Sequence, residues 1–213
     1  MLLDPGQIRS PTAAPRARRP ARSRGATSPR ATRPVASTGH GHVERPALVE
    51  RLLRSAAPLA LVVAPAGYGK TMLLREWAGH DERPFAWVTA VDADNDPAHL
   101  HGSIVRGLHA AGALPPGLVH ELGGPRADQL AAGKDHVLAL LAEAAHPAVL
   151  VLDGVEVLEA PGALELVAAI VEHVGPGSTA AIASRAEPAL AIGRLRAQDG
   201  VVELRVGDLR MTE

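Results

Sequence analysis

The segment Ala64–Thr71 constrains the fold of this chain more than any other. It reads Ala-Pro-Ala-Gly-Tyr-Gly-Lys-Thr, follows the apolar run 59–63 and precedes a helical pattern at 72–78. A strand, a glycine-bearing loop and a helix in this order are typical of a phosphate-binding loop, because a helix N-terminus leaves backbone N–H groups unpaired. The two glycines allow the backbone to turn and to approach an anion closely. The segment therefore predicts a nucleotide site.

The residues of this loop have distinct expected roles. Lys70 supplies a positive charge for the outer phosphates, and the Thr71 hydroxyl is a suitable ligand for Mg²⁺. Ala64 stands where the consensus pattern has its first glycine, so an ordinary strand–turn–helix connection with an incidental lysine is the alternative. The predicted nucleotide-binding residues here are Ala66, Gly67, Tyr68, Gly69, Lys70, Thr71 and Met72.

A second motif is the apolar run 148–152, which ends in Asp153. A buried lone carboxylate is costly unless something compensates its charge. At the end of a strand beside bound phosphate, a hydrated Mg²⁺ is the natural compensator. We therefore predict a Walker B strand, with Thr71 and Asp153 as Mg²⁺ ligands and Asp153 as a catalytic residue.

Arg185 follows a further apolar run, residues 179–183, and Ser184. An arginine at the end of a strand in a nucleotide site can sense or neutralise the terminal phosphate. Pairing with a surface carboxylate is the alternative. We predict a sensor-like role for Arg185.

Short apolar strands alternate with helical patterns along the rest of the chain. This alternation predicts a mostly parallel sheet covered by helices on both faces, with the ligand beyond the carboxyl ends of the strands. The predicted strands are 59–63, 85–89, 148–153, 179–183 and an edge strand at 201–206. The predicted helices begin at Pro46, near Gly69 (ending at a Gly79 cap) and at Pro97, and span about 128–145, 163–174 and 188–198, with a surface connection at 112–127.

Three other features have competing interpretations. The segment Asp92–Pro97 contains three carboxylates and an amide, but it lacks the glycine and later glutamate of a calcium loop, and Asp96 before Pro97 is more simply a helix N-cap. Trp77 is expected in the core rather than stacked on a base. The histidines 99, 101 and 109 are expected to be solvated.

The charge of the chain is distributed unevenly. Residues 1–40 contain eight arginines and one aspartate, a charge of +7; since the whole chain has a net charge of −1, the remainder carries −8. So acidic a remainder is unsuited to generic binding of nucleic acid. We predict that residues 1–42 form a disordered Arg/Pro/Ala-rich tail, because they have few apolar side chains to offset the entropy of ordering. An artificial translation start is compatible with such a tail, and the functional alternatives are a polyanion-binding arm and a transit-like leader.

The chain contains no cysteine, which excludes disulfides and thiolate metal sites. It also contains no apolar run of the roughly 18 residues that a membrane-spanning helix needs. We therefore expect a soluble, cytoplasmic protein that makes no membrane contact.

The sequence resembles the NTPase domain of the MalT-like, large ATP-binding LuxR-type transcriptional activators, which belong to the STAND class of AAA-like P-loop ATPases. The resemblance extends from about Val43 to Glu213. It rests on the segments Val43–Pro46, Ala64–Thr71, Ala86–Val88, Asp92–Pro97, Leu150–Asp153, Ala183–Arg185, Glu203–Arg205 and Asp208–Arg210. These relatives also have alanine at the position of Ala64.

The resemblance implies a three-layer domain at 43–213 with the strand order 5-1-4-3-2. It also implies ATP or ADP with Mg²⁺ as cofactors, and it places Arg45 and Pro46 near the adenine. The family has a second acidic residue after the Walker B aspartate, where this chain has Gly154. Glu156 is the nearest candidate for a catalytic role, but it lies two positions further on, so slow or absent hydrolysis is expected.

The family continues after the NTPase domain into a winged-helix segment, a helical-repeat sensor and a DNA-binding helix-turn-helix. This chain stops at Glu213, so we expect no sequence-specific DNA binding by it. The leading hypothesis is an ATP/ADP-binding switch module. The alternatives are a competent ATPase or kinase-like enzyme, and a non-catalytic truncated regulator or gene remnant that associates with itself or with full-length relatives.

Overall fold

Five short strands pair side by side, all in parallel, in the part of the chain that the computed structural model describes, residues 43–114 and 146–210. The strands are β1 (Leu59–Val63), β2 (Phe85–Thr89), β3 (Val149–Asp153), β4 (Thr179–Ser184) and β5 (Val201–Leu204). The predictions for residues 1–42, for the helix at 128–145 and for most of the connection 112–127 lie outside the described residues.

The strand order is β2-β3-β4-β1-β5. Read from the opposite edge this is 5-1-4-3-2, so the predicted order is confirmed. In this register Val63 lies beside Ser184 and Thr89 beside Asp153. The phosphate loop (residues 64–71), Asp153 and Arg185 therefore all follow strand ends at one edge of the sheet, as expected for a parallel α/β domain.

Helices and turns connect the strands. The helices are α1 (Pro46–Arg54), α2 (Lys70–His80), α3 (Pro97–Ala110), α4 (Pro161–His173), α5 (Gly193–Ala197) and α6 (Val206–Leu209). Two 3₁₀ turns, Asp92–Asn95 and Val155–Val157, follow β2 and β3.

Each face of the sheet has its own apolar cluster, because successive strand side chains point to opposite faces. Residues of α1 and α2, including Leu52, Leu73 and Trp77, pack with Val62 and Val151 on one face. Side chains of α3 and α4 pack with alternate residues of the same strands on the other face, including Leu100, Ile104, Ile170, Leu61 and Leu152. The domain therefore has the predicted three layers.

Most strands are short continuous apolar runs because both faces of the sheet are covered. All five residues of β1 and all six of β4 are buried. At the sheet edges, β2 alternates between half-buried and buried residues up to the exposed Thr89, and β5 is half-buried except at the buried Leu204.

Several sequence-based boundaries were wrong. Helix α2 continues to His80, so Gly79 lies inside it, and the cap is Asp81 in extended conformation. The segment 188–198 is helical only at Gly193–Ala197; before it, the N–H groups of Leu190 and Ile192 bond to carbonyls two residues earlier. The last strand ends at Leu204, two residues before the predicted end.

The buried histidine of α3 was also missed. His101 is only 4% exposed, in contrast to the predicted solvated side chain. His99 and His109 are exposed as predicted, although His99 contacts Asp94. Trp77 is 1% exposed, which confirms its predicted place in the core.

Candidate nucleotide-binding site

The phosphate loop connects β1 to α2 through two left-handed glycines. Gly67 has φ +85° and Gly69 has φ +74°, and Gly69 is the residue that caps α2. Residues other than glycine rarely adopt such backbone angles. A Cβ atom at Gly67 would meet no atom within 4 Å, so the loop backbone is open at that residue. Ala64 is fully buried, and its N–H continues the β1–β4 ladder by bonding to the Ser184 carbonyl.

The backbone N–H groups of the loop are the first candidate binding elements. Among the described residues, no group accepts a hydrogen bond from the N–H of residues 66–72; the first helical bond of α2 runs from Leu73 N to Gly69 O, 2.9 Å. Unpaired N–H groups at the start of a helix attract anions, since they are polar donors without partners and carry the positive end of the helix dipole. The loop therefore fits a phosphate group.

The Lys70 side chain reaches back to the start of the phosphate loop. Its ammonium group donates to the carbonyl oxygens of Ala64, at 2.6 Å, and Pro65, at 3.0 Å. An ammonium group has three donors. Two of them brace the loop, which leaves the third for a phosphate oxygen.

Thr71 and Asp153 are in direct contact. The Thr71 hydroxyl donates to Asp153 Oδ2 at 2.7 Å, although the two residues are 82 positions apart. A hydroxyl and a carboxylate oxygen, both half-exposed at the end of the sheet, are the hard oxygen ligands that Mg²⁺ takes beside nucleotide phosphates. The donor set thus fits the predicted Mg²⁺, with most of the coordination sphere left for water and phosphate oxygens.

Arg45 supports the loop from the side of α1. Its guanidinium donates to the carbonyls of Tyr68, at 2.8 Å, and Leu209, at 3.1 Å. Its backbone N–H lies 2.9 and 3.1 Å from the two carboxylate oxygens of Glu76 on α2. We call this set of contacts the Arg45 bridge; it joins the loop, α2 and α6.

Glu156 and Arg185 are brought together at the same edge of the sheet. Glu156 Oε1 lies 2.9 Å from Arg185 Nε, and Oε2 accepts a hydrogen bond from the Arg185 backbone N–H at 3.0 Å. Both carboxylate oxygens of Glu156 are therefore engaged by one residue. Gly154, between Asp153 and the turn that carries Glu156, has φ +82° and no side chain to act on water.

The segment after β2 is built around Asp94, which is 1% exposed. Its carboxylate accepts hydrogen bonds from the Val91 N–H at 2.9 Å and the Ser103 hydroxyl at 2.9 Å, and contacts His99 Nδ1 at 2.7 Å. Burial alone would raise the pKa of Asp94, but these hydrogen bonds and the His99 charge outweigh burial and lower it.

Asp96 accepts a hydrogen bond from the Ala98 N–H, which confirms it as the N-cap of α3. The carboxylates of Asp94 and Asp96 thus bond to backbone amides. Within residues 43–114 and 146–210, no group of three or more histidines and carboxylates is arranged to hold a metal ion. The calcium-loop interpretation has no support here.

Asn95 is a functional candidate that the sequence analysis did not identify. Its Oδ1 accepts from the N–H groups of Glu159, at 2.7 Å, and Ala160, at 2.9 Å, and its Nδ2 donates to Val157 O at 2.9 Å. It thereby fastens the segment that follows Glu156. In the sequence, Asn95 stood out only as an amide side chain within the acidic segment Asp92–Pro97, a pattern that suggested a metal loop and not a contact with residues 157–160.

The structure brings most of the predicted site residues to one edge of the sheet. Ala66 and Met72 are exposed beside the loop glycines, and Tyr68 is half-buried against the cluster formed by α1 and α2. Pro46 is exposed at the first position of α1, next to the Arg45 bridge. Glu76 is a further residue that the sequence reasoning missed.

Comparison with known families gives the class of the domain. A family model described as an AAA domain matches residues 53–183, which is more than half of the chain. The chain therefore belongs to the AAA-domain family. The match begins before β1 and ends within β4, so it includes the phosphate loop and Asp153.

Similar individual proteins give a narrower relationship. The chain is 27% identical over 168 residues to the HTH-type transcriptional regulator MalT of Vibrio campbellii, and 25% identical over 175 residues to that of Vibrio cholerae. These matches confirm the resemblance to the ATPase domain of MalT-like regulators. Each alignment covers 78% of this chain but only 18% of the relative.

The described helices also bear on membrane association. None of those in residues 43–114 and 146–210 has the length and apolar character that crossing a bilayer requires.

Proposed function

We propose that this chain is an ATP/ADP-binding switch module of a LuxR/MalT-type transcriptional regulator of the STAND class. The observation that carries the proposal is the hydrogen bond between Thr71 and Asp153 at the end of a loop whose N–H groups have no partner among the described residues. In this proposal the loop amides and Lys70 bind the phosphates, while Thr71 and Asp153 hold Mg²⁺.

Slow or absent hydrolysis is part of the proposal. Attack on the terminal phosphate needs a group that orients or activates water. Gly154 has no side chain for this role, and Glu156 lies two positions further on, with one carboxylate oxygen held by the Arg185 backbone N–H at 3.0 Å. A protein that holds ATP for long periods is suited to switching between ATP and ADP forms, and less suited to rapid turnover.

The remaining assignments follow from the proposed role. The adenine would lie near Arg45 and Pro46, and Arg185 would sense the third phosphate. A regulator of this kind acts in the cytoplasm, where nucleotide is available, and its candidate partners are a second copy or full-length relatives.

Titration with a fluorescent ATP analogue in the presence of Mg²⁺ tests the proposal. The wild-type chain should bind saturably, and Lys70→Ala should weaken binding by about tenfold or more, because it removes a charge-assisted hydrogen bond to phosphate. Arg75→Ala is the matched control, since Arg75 is an exposed cation on the same helix. Absence of saturable wild-type binding, or equal affinities of wild type and Lys70→Ala, would overturn the proposal.

A phosphate-release assay tests the hydrolysis rate separately. We expect a turnover number well below the roughly 1 s⁻¹ at the low end of typical enzymes. Turnover above that value, abolished by Asp153→Ala, would instead support the competent ATPase.

A further inference from the structure

Glu156 is placed so that it interacts with Arg185 twice. One carboxylate oxygen pairs with Nε at 2.9 Å and the other accepts from the backbone N–H of the same residue at 3.0 Å. These two contacts hold the Arg185 side chain against the turn that carries Glu156. The Glu156 side chain is 20% exposed, whereas that of Arg185 is 67% exposed. Arg185 is therefore the partner that is free to move.

Asn95 keeps Glu156 in this position. Three of its hydrogen bonds reach residues 157–160, directly after the turn that carries Glu156. A fourth, from Nδ2 to Asp92 O at 3.2 Å, holds the amide to its own 3₁₀ turn. The position of Glu156 is thus fixed on one side by Gly154, whose N–H bonds to Ala183 O, and on the other by Asn95.

We propose that Glu156 competes with the third phosphate of bound ATP for Arg185, and that Asn95 is the positioning residue that keeps Glu156 in reach. This inference rests on the proposed nucleotide binding and deepens it by naming how the site distinguishes ATP from ADP. Arg185 follows β4, which lies between β3 and β1, so it shares an edge with Asp153 and the phosphate loop. A terminal phosphate carries more negative charge than one carboxylate, so ATP can take the guanidinium from Glu156, whereas ADP has no third phosphate to do so.

The exposure of the Glu156–Arg185 ion pair determines the expected change in the preference for ATP over ADP. The pair has one largely exposed partner, and such ion pairs change an equilibrium by up to about fivefold. Removing the charge of Glu156 should therefore raise the preference for ATP over ADP by that factor or less. Glu156→Gln retains an oxygen that can accept from the Arg185 N–H and removes only the competing charge.

The test is the ratio of ATP to ADP affinity, measured by displacing a fluorescent ADP analogue in the presence of Mg²⁺. Glu156→Gln should raise the ratio by about two- to fivefold, and Arg185→Ala should lower it. In the Arg185→Ala background, Glu156→Gln should have no further effect. An unchanged ratio in Glu156→Gln, or an increase that persists without Arg185, would overturn the inference.

Asn95→Ala tests the positioning role. It should raise the ratio in the same direction as Glu156→Gln, because it loosens the segment that holds the carboxylate. Asp96→Ala is the matched control, since it removes a hydrogen bond in the adjacent residue and leaves residues 157–160 untouched. Equal ratios for the two variants would refute the role of Asn95.

Failure of this inference differs from failure of the proposed function. If wild type binds ADP and Lys70→Ala does not, but the ratio is the same in wild type and Glu156→Gln, then only the competition is wrong. If wild type binds neither nucleotide, the proposed function and the proposed competition are both refuted.

Discussion

The contact between Gly69 and Arg45 allows a sharp prediction about the phosphate loop. Gly67 and Gly69 both have positive φ, so alanine at either position costs about 1–2 kcal/mol of backbone strain. Alanine also reduces the entropy of the unfolded chain, an effect that is the same at both positions. These two backbone contributions to the free energy of unfolding therefore cancel when Gly67→Ala and Gly69→Ala are compared.

Only the variant at position 69 meets another group. A Cβ atom there would lie 3.2 and 3.3 Å from the guanidinium nitrogens of Arg45, whereas at Gly67 it would meet nothing within 4 Å. The guanidinium must move by a few tenths of an ångström, but it is held by hydrogen bonds to Tyr68 O and Leu209 O. Weakening one such charge-assisted bond in a half-exposed setting costs about 1 kcal/mol. Gly69→Ala should thus destabilise the domain by about 1 kcal/mol more than Gly67→Ala does.

Urea unfolding followed by tryptophan fluorescence measures this difference, with Trp77 on the buried face of α2 as one reporter. The transition midpoints should differ while the slopes agree. In an Arg45→Ala background the two glycine variants should become equally stable. Equal stability of the two variants with Arg45 present, or a difference that survives its removal, would refute the reasoning.

Two further predictions concern the hydrogen-bonded aspartates Asp81 and Asp94. Burial disfavours ionisation of Asp81, but hydrogen bonds from Arg83 and Trp77 and the charge of Arg83 outweigh burial and hold the pKa of Asp81 below its ordinary value. A lowered folded-state pKa gives stability that is present above the unfolded-state pKa and is lost as the pH falls through the folded value. Urea unfolding from about pH 6 to pH 3 should therefore show a smaller acid loss in Asp81→Asn than in wild type, and equal losses would contradict this. Asp94→Ala should lower the free energy of unfolding by about 2–4 kcal/mol, because it deprives the Val91 N–H and the Ser103 hydroxyl of their acceptor. His99→Gln should lower the free energy of unfolding by less than about 1 kcal/mol, since His99 is exposed. A comparable loss in His99→Gln and Asp94→Ala would contradict the prediction that the bonds from Val91 and Ser103 dominate.

The apolar runs predicted the sheet well because both of its faces are buried. Strands β1, β2 and β3 end where the sequence analysis placed their ends, at Val63, Thr89 and Asp153. Their order, in contrast, came from the family resemblance, since a strand's apolar pattern does not specify its neighbour. Asp96 could be assigned as a cap because Asp before Pro is a local signal.

Two predictions failed although the residues that decide them are close in sequence. Helix α2 ends at His80, and its C-cap is Asp81 rather than Gly79. The Asp81 carboxylate accepts a hydrogen bond from Trp77 Nε1 and pairs with Arg83. His101 was recognisable in principle, since the spacing from His101 to Ile104 and Leu108 places all three on one helix face. Histidine was instead treated as a polar residue without regard to this spacing.

The candidate site contains both residues that are contiguous in sequence and residues that are far apart in it. The phosphate loop is contiguous in sequence, so its residue types and spacing were sufficient to predict it. The Glu156–Arg185 pair joins residues 29 positions apart, and the Arg45 side chain reaches Leu209 across 164 positions. Such contacts depend on strand order and on side-chain direction, which one sequence does not specify.

The Arg45 bridge has a mechanical consequence. One planar, rigid group touches both the carbonyl that precedes Gly69 and the carbonyl that closes α6, so these two oxygens are kept at a fixed separation. A ligand that rotates the Tyr68 peptide must either displace Leu209 or break a bond to the guanidinium. The C-terminal end of α6 is thereby coupled to the phosphate loop through the Arg45 side chain.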